Sequence, residues 1–130
     1  MKKKLAVLLM MSTLILGSVS AYAGTKTAYL RADHGDATGS LTCNFKTKLF
    51  GSDSATASTK MGRNDGNYRV AVRLEGWDPK NMLGYKYASS STTASVSLSY
   101  SDVDNFRSRH SIDNDNNSAE YEVEVLKISE

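Results

Sequence analysis

The chain has 130 residues, with 16 lysines and arginines, 14 aspartates and glutamates and one cysteine. This length suits one domain, and a single cysteine excludes a fold held together by internal disulfides. Three of the cations are the lysines at positions 2–4, so the chain after the N-terminal leader carries 13 cations against 14 acids. This near-neutral balance argues against nucleic acid or an anionic membrane as the partner.

The N-terminus has the three parts of a secretory signal peptide. Lysines 2–4 form a positive segment, residues 5–16 form an apolar run, and Ala21-Tyr22-Ala23 supplies a small-x-small cleavage pattern. The apolar run is shorter than the roughly 20 residues that a membrane-spanning helix needs. We therefore expect residues 1–23 to be removed, which leaves residues 24–130 as one secreted domain without stable membrane insertion. The triple-lysine leader favours a bacterial origin.

Period-two alternation starts after the predicted cut. Two predicted strands place the following apolar side chains on one side: Ala28, Leu30, Ala32, Leu41, Cys43, Phe45 and Leu49. Residues 33–39 between the two strands indicate a turn. Because Cys43 lies on the apolar side, we interpret it as a buried thiol, with an intermolecular disulfide or a reactive thiol as alternatives.

The middle of the chain predicts a hairpin and then a tight turn. Asp65-Gly66 is a turn dipeptide between two alternating segments, which favours side-by-side pairing of the flanking strands. The residues of the second segment that we expect to face the core are Tyr68, Val70, Val72 and Leu74. Pro79 after Asp78 predicts a type I turn.

The C-terminal part predicts three more strands. In the first of them, Ala94, Val96, Leu98 and Tyr100 alternate with hydroxyl side chains. In the last two, we expect one core to be faced by Phe106, His110, Ile112, Tyr121, Val123 and Val125. That register would pair Arg109 with Glu122 and Arg107 with Glu124.

Seven or eight short strands joined by Gly-, Asn-, Asp- and Ser-rich turns indicate an all-β fold. No segment outside the leader has sustained 3.6-residue periodicity. We predict a small antiparallel β-sandwich, with a small β-barrel as the alternative.

The acidic stretch near the C-terminus contains part of a calcium-loop pattern. Asp113, Asp115, Asn117 and Glu124 stand at positions one, three, five and twelve of an EF-hand loop. Ser118 replaces the glycine that the loop needs at position six, and both flanks alternate as strands. A turn therefore explains the stretch better than an EF-hand. A looser calcium site formed by Asp113, Asp115 and Asn117 is the metal candidate, and no other cofactor is indicated.

Three aromatic residues form the candidate binding set. Trp77 lies in the turn-forming segment, and Tyr85 and Tyr87 share one side of the strand that follows. Their broad rings with polar tips suit stacking on sugars or gripping a peptide. For the only tryptophan of a small domain, packing in the core is the favoured interpretation and binding is the alternative.

The sequence contains no catalytic motif. His34 lies between Asp33 and Asp36, where a general base is conceivable, but the same residues are ordinary turn formers. His110 has the strand parity of a buried structural histidine. No serine-hydrolase elbow, zinc-protease helix motif, phosphate-binding loop or dinucleotide fingerprint is present. The sequence therefore predicts a protein that is not an enzyme.

These features predict a secreted, non-catalytic interaction protein, monomeric or weakly associating, that binds an extracellular protein or a cell-wall glycan. The export signal, the small size, the Ser and Thr content and the predicted sandwich are similar in build to lactococcin-type bacteriocins, without a shared motif. That resemblance implies an alternative function, namely a small antimicrobial or toxin-like protein acting on the cell envelope. A hydrolase is the third alternative.

Overall fold

The computed structural model describes residues 20–46, 51–114 and 117–130, and every regular element within these ranges is a β-strand. The strands are β1 (Ser20–Ala32), β2 (Gly35–Lys46), β3 (Asp53–Asn64), β4 (Tyr68–Trp77), β5 (Met82–Ser90), β6 (Thr93–Tyr100), β7 (Asn105–Asn114) and β8 (Asn117–Ser129). They form two antiparallel sheets: sheet A has the order β1-β2-β3-β6 and sheet B the order β5-β4-β7-β8. The predicted all-β sandwich is confirmed.

The predicted leader lies outside the described residues, apart from its last four. β1 already begins at Ser20, so cleavage after Ala23 would leave a mature chain that starts within this strand. The described residues include no helix of the length and apolarity that a membrane span requires.

The alternation that predicts the strands also builds the core between the sheets. Phe45 of sheet A and Phe106 of sheet B are fully buried, and their ring centroids lie 5.7 Å apart. The other predicted core residues found buried are Leu30, Leu41, Cys43, Tyr68, Val70, Val72, Leu74, Ala94, Leu98, His110 and Ile112. Leu49 lies outside the described residues.

Cys43 is a free, buried thiol. Burial raises its pKa to about 12, because the thiolate would lose its hydration in the core. The buried interpretation of this residue is confirmed, and the protonated thiol is a poor nucleophile.

The connection at Asp65-Gly66 crosses from one sheet to the other, so the predicted hairpin is wrong. β3 lies in sheet A and β4 in sheet B, and they are not paired with each other. Asn64 fixes the crossing, because its Oδ1 accepts a hydrogen bond from the Tyr68 amide at 2.7 Å and its Nδ2 donates to the Tyr68 carbonyl at 3.0 Å. Alternation specifies the inward side of a strand, but both a neighbouring strand and a strand across the core satisfy it.

The predicted register of the last two strands is also wrong. The observed pairs are Arg109 with Val125 and Arg107 with Lys127. Val125 is 61% exposed, whereas Leu126 and Ile128 fill the core. The register differs from the predicted one by an odd number of residues, which moves each side chain of β8 to the opposite face. Val123 therefore shares the outward parity of Val125.

Tyr68 has a buried hydroxyl without a hydrogen-bond partner in the described part of the chain. A buried polar group in this state loses the hydrogen bonds that water makes to it in the unfolded chain. We expect Tyr68→Phe to raise the free energy of unfolding by about 1 kcal/mol, measured by urea denaturation. A lower stability of the variant would show that the hydroxyl has a partner, and Tyr100→Phe serves as a comparison for a half-buried tyrosine.

Candidate functional site

The outward side of sheet B brings the predicted aromatic residues together with several cations. Odd-numbered residues of β4 and β5, of β7 from position 107 and of β8 from position 123 point away from the core, and cross-strand pairing aligns them in rows. One row is Tyr87, Arg73, Arg109 and Val125, and the next is Tyr85, Glu75, Arg107 and Lys127. We call this surface the arginine–tyrosine face and define it by these eight residues and Trp77.

The two tyrosines lie on the edge strand β5 and project into solvent. Tyr85 is 54% exposed and Tyr87 is 61% exposed. Trp77, at the end of β4, is half-buried on the same side of the sheet. The indole is therefore part of the outer surface, and the interpretation that it packs in the core between the sheets is wrong.

A tight turn places the tryptophan beside the tyrosine strand. Asp78 Oδ1 accepts hydrogen bonds from the amides of Lys80 at 2.8 Å and Asn81 at 2.6 Å, and the Asp78 amide donates to the Asn81 carbonyl at 3.0 Å. The Lys80 amide, followed by that of Asn81, holds the pKa of Asp78 below its usual value. The predicted turn around Pro79 is present, and Trp77 consequently pairs with Met82 in the adjoining strand.

Guanidinium groups lie over two of the three rings. The Arg73 guanidinium lies 4.1 Å from the ring centroid of Tyr85, and that of Arg107 lies 4.6 Å from Trp77. Glu75 joins the two stacks, because its Oε2 accepts a hydrogen bond from Trp77 Nε1 at 2.8 Å and its Oε1 lies 2.9 Å from Arg73 Nε. The second contact is an ion pair without hydrogen-bond geometry, since the Arg73 N–H does not point at the carboxylate. The stacks orient the guanidiniums while leaving other N–H donors available.

Positive charge accumulates on this side of sheet B. Its described outward residues include five cations and two acids, namely Arg69, Arg73, Arg107, Arg109, Lys127, Glu75 and Asp113. Arg73 stands directly opposite Arg109, and Arg107 directly opposite Lys127. Like charges in such cross-strand positions destabilise a sheet. A shallow depression of about 230 Å³ lies between Arg73, Arg109 and Tyr87.

The outward side of sheet A has a different chemistry. Its rows consist mainly of serine and threonine, as in the row Thr25, Thr42, Thr56 and Ser97. Hydroxyls bond to each other across the strands, for example Thr25 with Thr42 at 3.0 Å and Thr56 with Ser97 at 2.8 Å. These hydroxyl side chains form hydrogen bonds with one another and carry no charge, unlike the side chains of the arginine–tyrosine face.

His110 lies inside the sandwich between two hydroxyl groups. Its Nε2 is 2.6 Å from Ser108 Oγ, and its Nδ1 is 2.8 Å from Thr59 Oγ1. Thr59 donates its only hydroxyl proton to the Ala71 carbonyl at 2.8 Å, so it must accept from a protonated Nδ1. The ring is then neutral, and its Nε2 accepts from Ser108. Because both Ser108 and His110 are fully buried, this pair stabilises the core and does not meet a substrate.

Burial lowers the pKa of His110 to about 4, against an ordinary value of 6.5. The low-dielectric core disfavours the imidazolium, and a hydrogen bond to the Ser58 backbone opposes this effect only in part. The prediction that His110 is a buried structural residue is confirmed.

The second histidine lies at an exposed turn. His34 connects β1 and β2, and its carbonyl accepts a hydrogen bond from the Asp65 amide at 2.7 Å. Asp36 Oδ1 accepts one from the Arg63 amide at 3.1 Å. These contacts join two turns at one end of the sandwich, as the turn interpretation predicts.

The calcium candidate is only partly covered by the structure. Asp113 is exposed near the end of β7, Asp115 lies outside the described residues, and Asn117 begins β8. Asp113 pairs with Tyr121, so Glu124 is three residues further along β8, a separation of about 10 Å. Strands flank the loop where an EF-hand has helices. Among residues 20–46, 51–114 and 117–130, no three His, Cys, Asp or Glu side chains come together as a metal site would require.

The sequence singled out the aromatic residues but not the cations that stack on them. Arg73 and Arg107 belong to different predicted strands, and only the β4–β7 pairing, which follows a long intervening segment, makes their strands neighbours. The sequence feature that could have identified these cations is the presence of Arg107 and Arg109 at alternate positions of β7, on the side opposite Phe106. No protein-family model matches the chain, and no curated protein is significantly similar to it in sequence.

Proposed function

We propose that the protein is a secreted, non-catalytic binding protein whose contact surface is the arginine–tyrosine face. The observation that carries this proposal is the exposure of Tyr85 and Tyr87 beside guanidiniums that the sheet holds in place. Tyrosine, tryptophan and arginine are the residues that contribute most at contact surfaces, because the two aromatic residues offer large area with few rotatable bonds and arginine offers a planar group with several donors.

The architecture of the surface also supports binding. The side chains stand on paired strands. Cation–π stacking and the hydrogen bond from Trp77 to Glu75 hold them in place. A surface held in this way loses little conformational entropy when a partner docks. The export signal directs the search for a partner to extracellular proteins and cell-wall glycans.

We expect the double substitution Tyr85→Ala and Tyr87→Ala to reduce binding to isolated cell walls or extracellular proteins by at least roughly tenfold. Each truncation removes an exposed ring of the edge strand β5 from the contact surface. The measurement is retention of the immobilised partner fraction by wild-type and variant proteins at equal concentration. Unfolding midpoints of the two proteins should agree to within a few degrees, because neither ring is in the core.

Tyr29→Ala is the matched control. Tyr29 is 52% exposed and also has an arginine over its ring, with 5.4 Å between Arg31 and the ring centroid, but it lies on sheet A. Equal losses from the control and from the double variant would overturn the proposal. Growth inhibition of neighbouring strains by the purified protein, unchanged by the double substitution, would instead favour the antimicrobial alternative.

A further inference from the structure

The arginine–tyrosine face contains like-charge pairs that the fold itself does not require. Arg73 faces Arg109, and in the adjacent row Arg107 stands between Glu75 on β4 and Lys127 on β8. The Arg109 side chain has no hydrogen bond or ion pair in the part of the chain that the structure describes. On sheet A, by contrast, exposed Arg31 faces Asp36, the opposite-charge arrangement that stabilises strand pairing.

The spacing of these cations suits a ligand with repeated negative charges. Neighbouring strands lie about 4.8 Å apart, and alternate residues of one strand are about 6.8 Å apart. Arg107 and Arg109 are alternate residues of β7, while Arg73 and Lys127 flank them on the strands to either side. Four positive groups therefore form a compact zigzag across three strands. One compact anion would neutralise only part of this zigzag, whereas a chain of anions crossing the strands can contact all four cations.

The rings indicate which polyanion fits. The stacked guanidiniums of Arg73 and Arg107 cover a face of Tyr85 and of Trp77, and these rings are less available for stacking on nucleobases. Tyr87 has no guanidinium within stacking distance among the described contacts and borders the depression lined by Arg73 and Arg109. A sugar ring packed on Tyr87, with its acidic substituent directed at these arginines, uses both features.

We propose that the ligand of the arginine–tyrosine face is an acidic polysaccharide, recognised by its carboxylate or phosphate groups. This inference rests on the proposed function of the same face and adds the charge of the ligand to it. The near-neutral total charge of the chain after the leader is compatible with this chemistry, because five of its 13 cations but only two of its 14 acids lie on the outward side of sheet B among the described residues. The repulsion between Arg73 and Arg109 is relieved when an anion lies between them.

The test uses the whole chain, titrated with polygalacturonate, phosphorylated dextran, neutral dextran and single-stranded DNA. We expect both acidic non-nucleotide polymers, or one of them, to bind more tightly than dextran and DNA, with affinity falling as salt rises. Preference between the first two polymers identifies carboxylate or phosphate as the recognised group. Tighter binding of DNA than of either acidic polymer would overturn the inference.

Arg109→Gln should weaken binding of the acidic polymer roughly five- to tenfold and also raise the unfolding midpoint, because it removes a repulsive charge. Arg31→Gln makes the same charge change on sheet A and should leave the affinity unchanged. If binding depended only on the total positive charge of the protein, both variants would bind the acidic polymer more weakly to the same extent. That result would overturn the inference.

Different results would contradict the acidic nature of the ligand and the binding function of the face. If dextran binds as well as polygalacturonate, Tyr87→Ala abolishes both and Arg109→Gln affects neither, the face is a binding surface for a neutral glycan. If no partner fraction responds to the tyrosine substitutions, the proposed function itself is wrong.

Discussion

Phe106→Ala should lower the free energy of unfolding by about 4 kcal/mol. The ring is fully buried and packs against Phe45 of the opposite sheet at a centroid distance of 5.7 Å, so its removal leaves a cavity where the sheets meet. The surrounding strands are paired on both sides and cannot collapse into this space without breaking ladder hydrogen bonds. Urea denaturation followed by fluorescence of Trp77 measures the loss.

Two further variants serve as controls for Phe106→Ala. Tyr87→Ala removes a ring of similar size from the outer surface and should change stability by less than about 0.5 kcal/mol. Combining Phe45→Ala with Phe106→Ala should destabilise less than the sum of the two, because the second truncation removes contacts that the first has already broken. A loss below about 1.5 kcal/mol for Phe106→Ala would contradict a packed interface between the sheets.

The folded protein should lose about 3 kcal/mol of stability between pH 6.5 and pH 4 through His110 alone. The pKa of His110 is about 4 in the folded protein and 6.5 in its ordinary state. Within this window the unfolded chain binds a proton at His110 and the folded protein does not, so protons favour unfolding. The contribution is fully present above pH 6.5 and is lost progressively as the pH falls.

Urea denaturation at pH values from 7.5 to 5 measures this effect before most carboxylates titrate. The expected slope approaches 1.4 kcal/mol per pH unit below pH 6.5. His34→Gln, at the exposed turn between β1 and β2, should keep the slope, whereas His110→Gln should abolish it. If His110→Gln does not fold, NMR titration of the His110 ring in the wild-type protein decides the point, and protonation near pH 6.5 in the folded state would refute the prediction.

Local patterning predicted most of the strands and their inward sides. Alternation in residues 68–74 and 94–100 identified side chains that are buried or half-buried, and the acceptor geometry of Asp78 agrees with the turn expected around Pro79. These features succeed because the side to which a residue points depends on its immediate neighbours along a strand.

Pairing between strands could not be obtained in the same way. Asp65-Gly66 has the composition of a hairpin turn, yet it connects strands of different sheets. The last strand offered two alternating apolar sets, and burial of Leu126 and Ile128 opposite β7 selected one of them, leaving Val125 exposed. Such choices depend on the total surface buried by the whole sandwich, to which distant segments contribute.

Local sequence pattern and strand pairing also contributed different parts of the candidate site. The sequence by itself determined the all-β architecture, the inward-facing residues of β1, β2, β4 and β6, and the presence of Tyr85 and Tyr87 on one side of β5. Only the tertiary structure decided that Arg73 and Arg107 stack on Tyr85 and Trp77 and that Arg109 stands opposite Arg73. The reason is physical: alternation is a property of neighbouring residues, whereas a charged surface forms when strand pairing brings residues from separate segments within a few ångströms of one another.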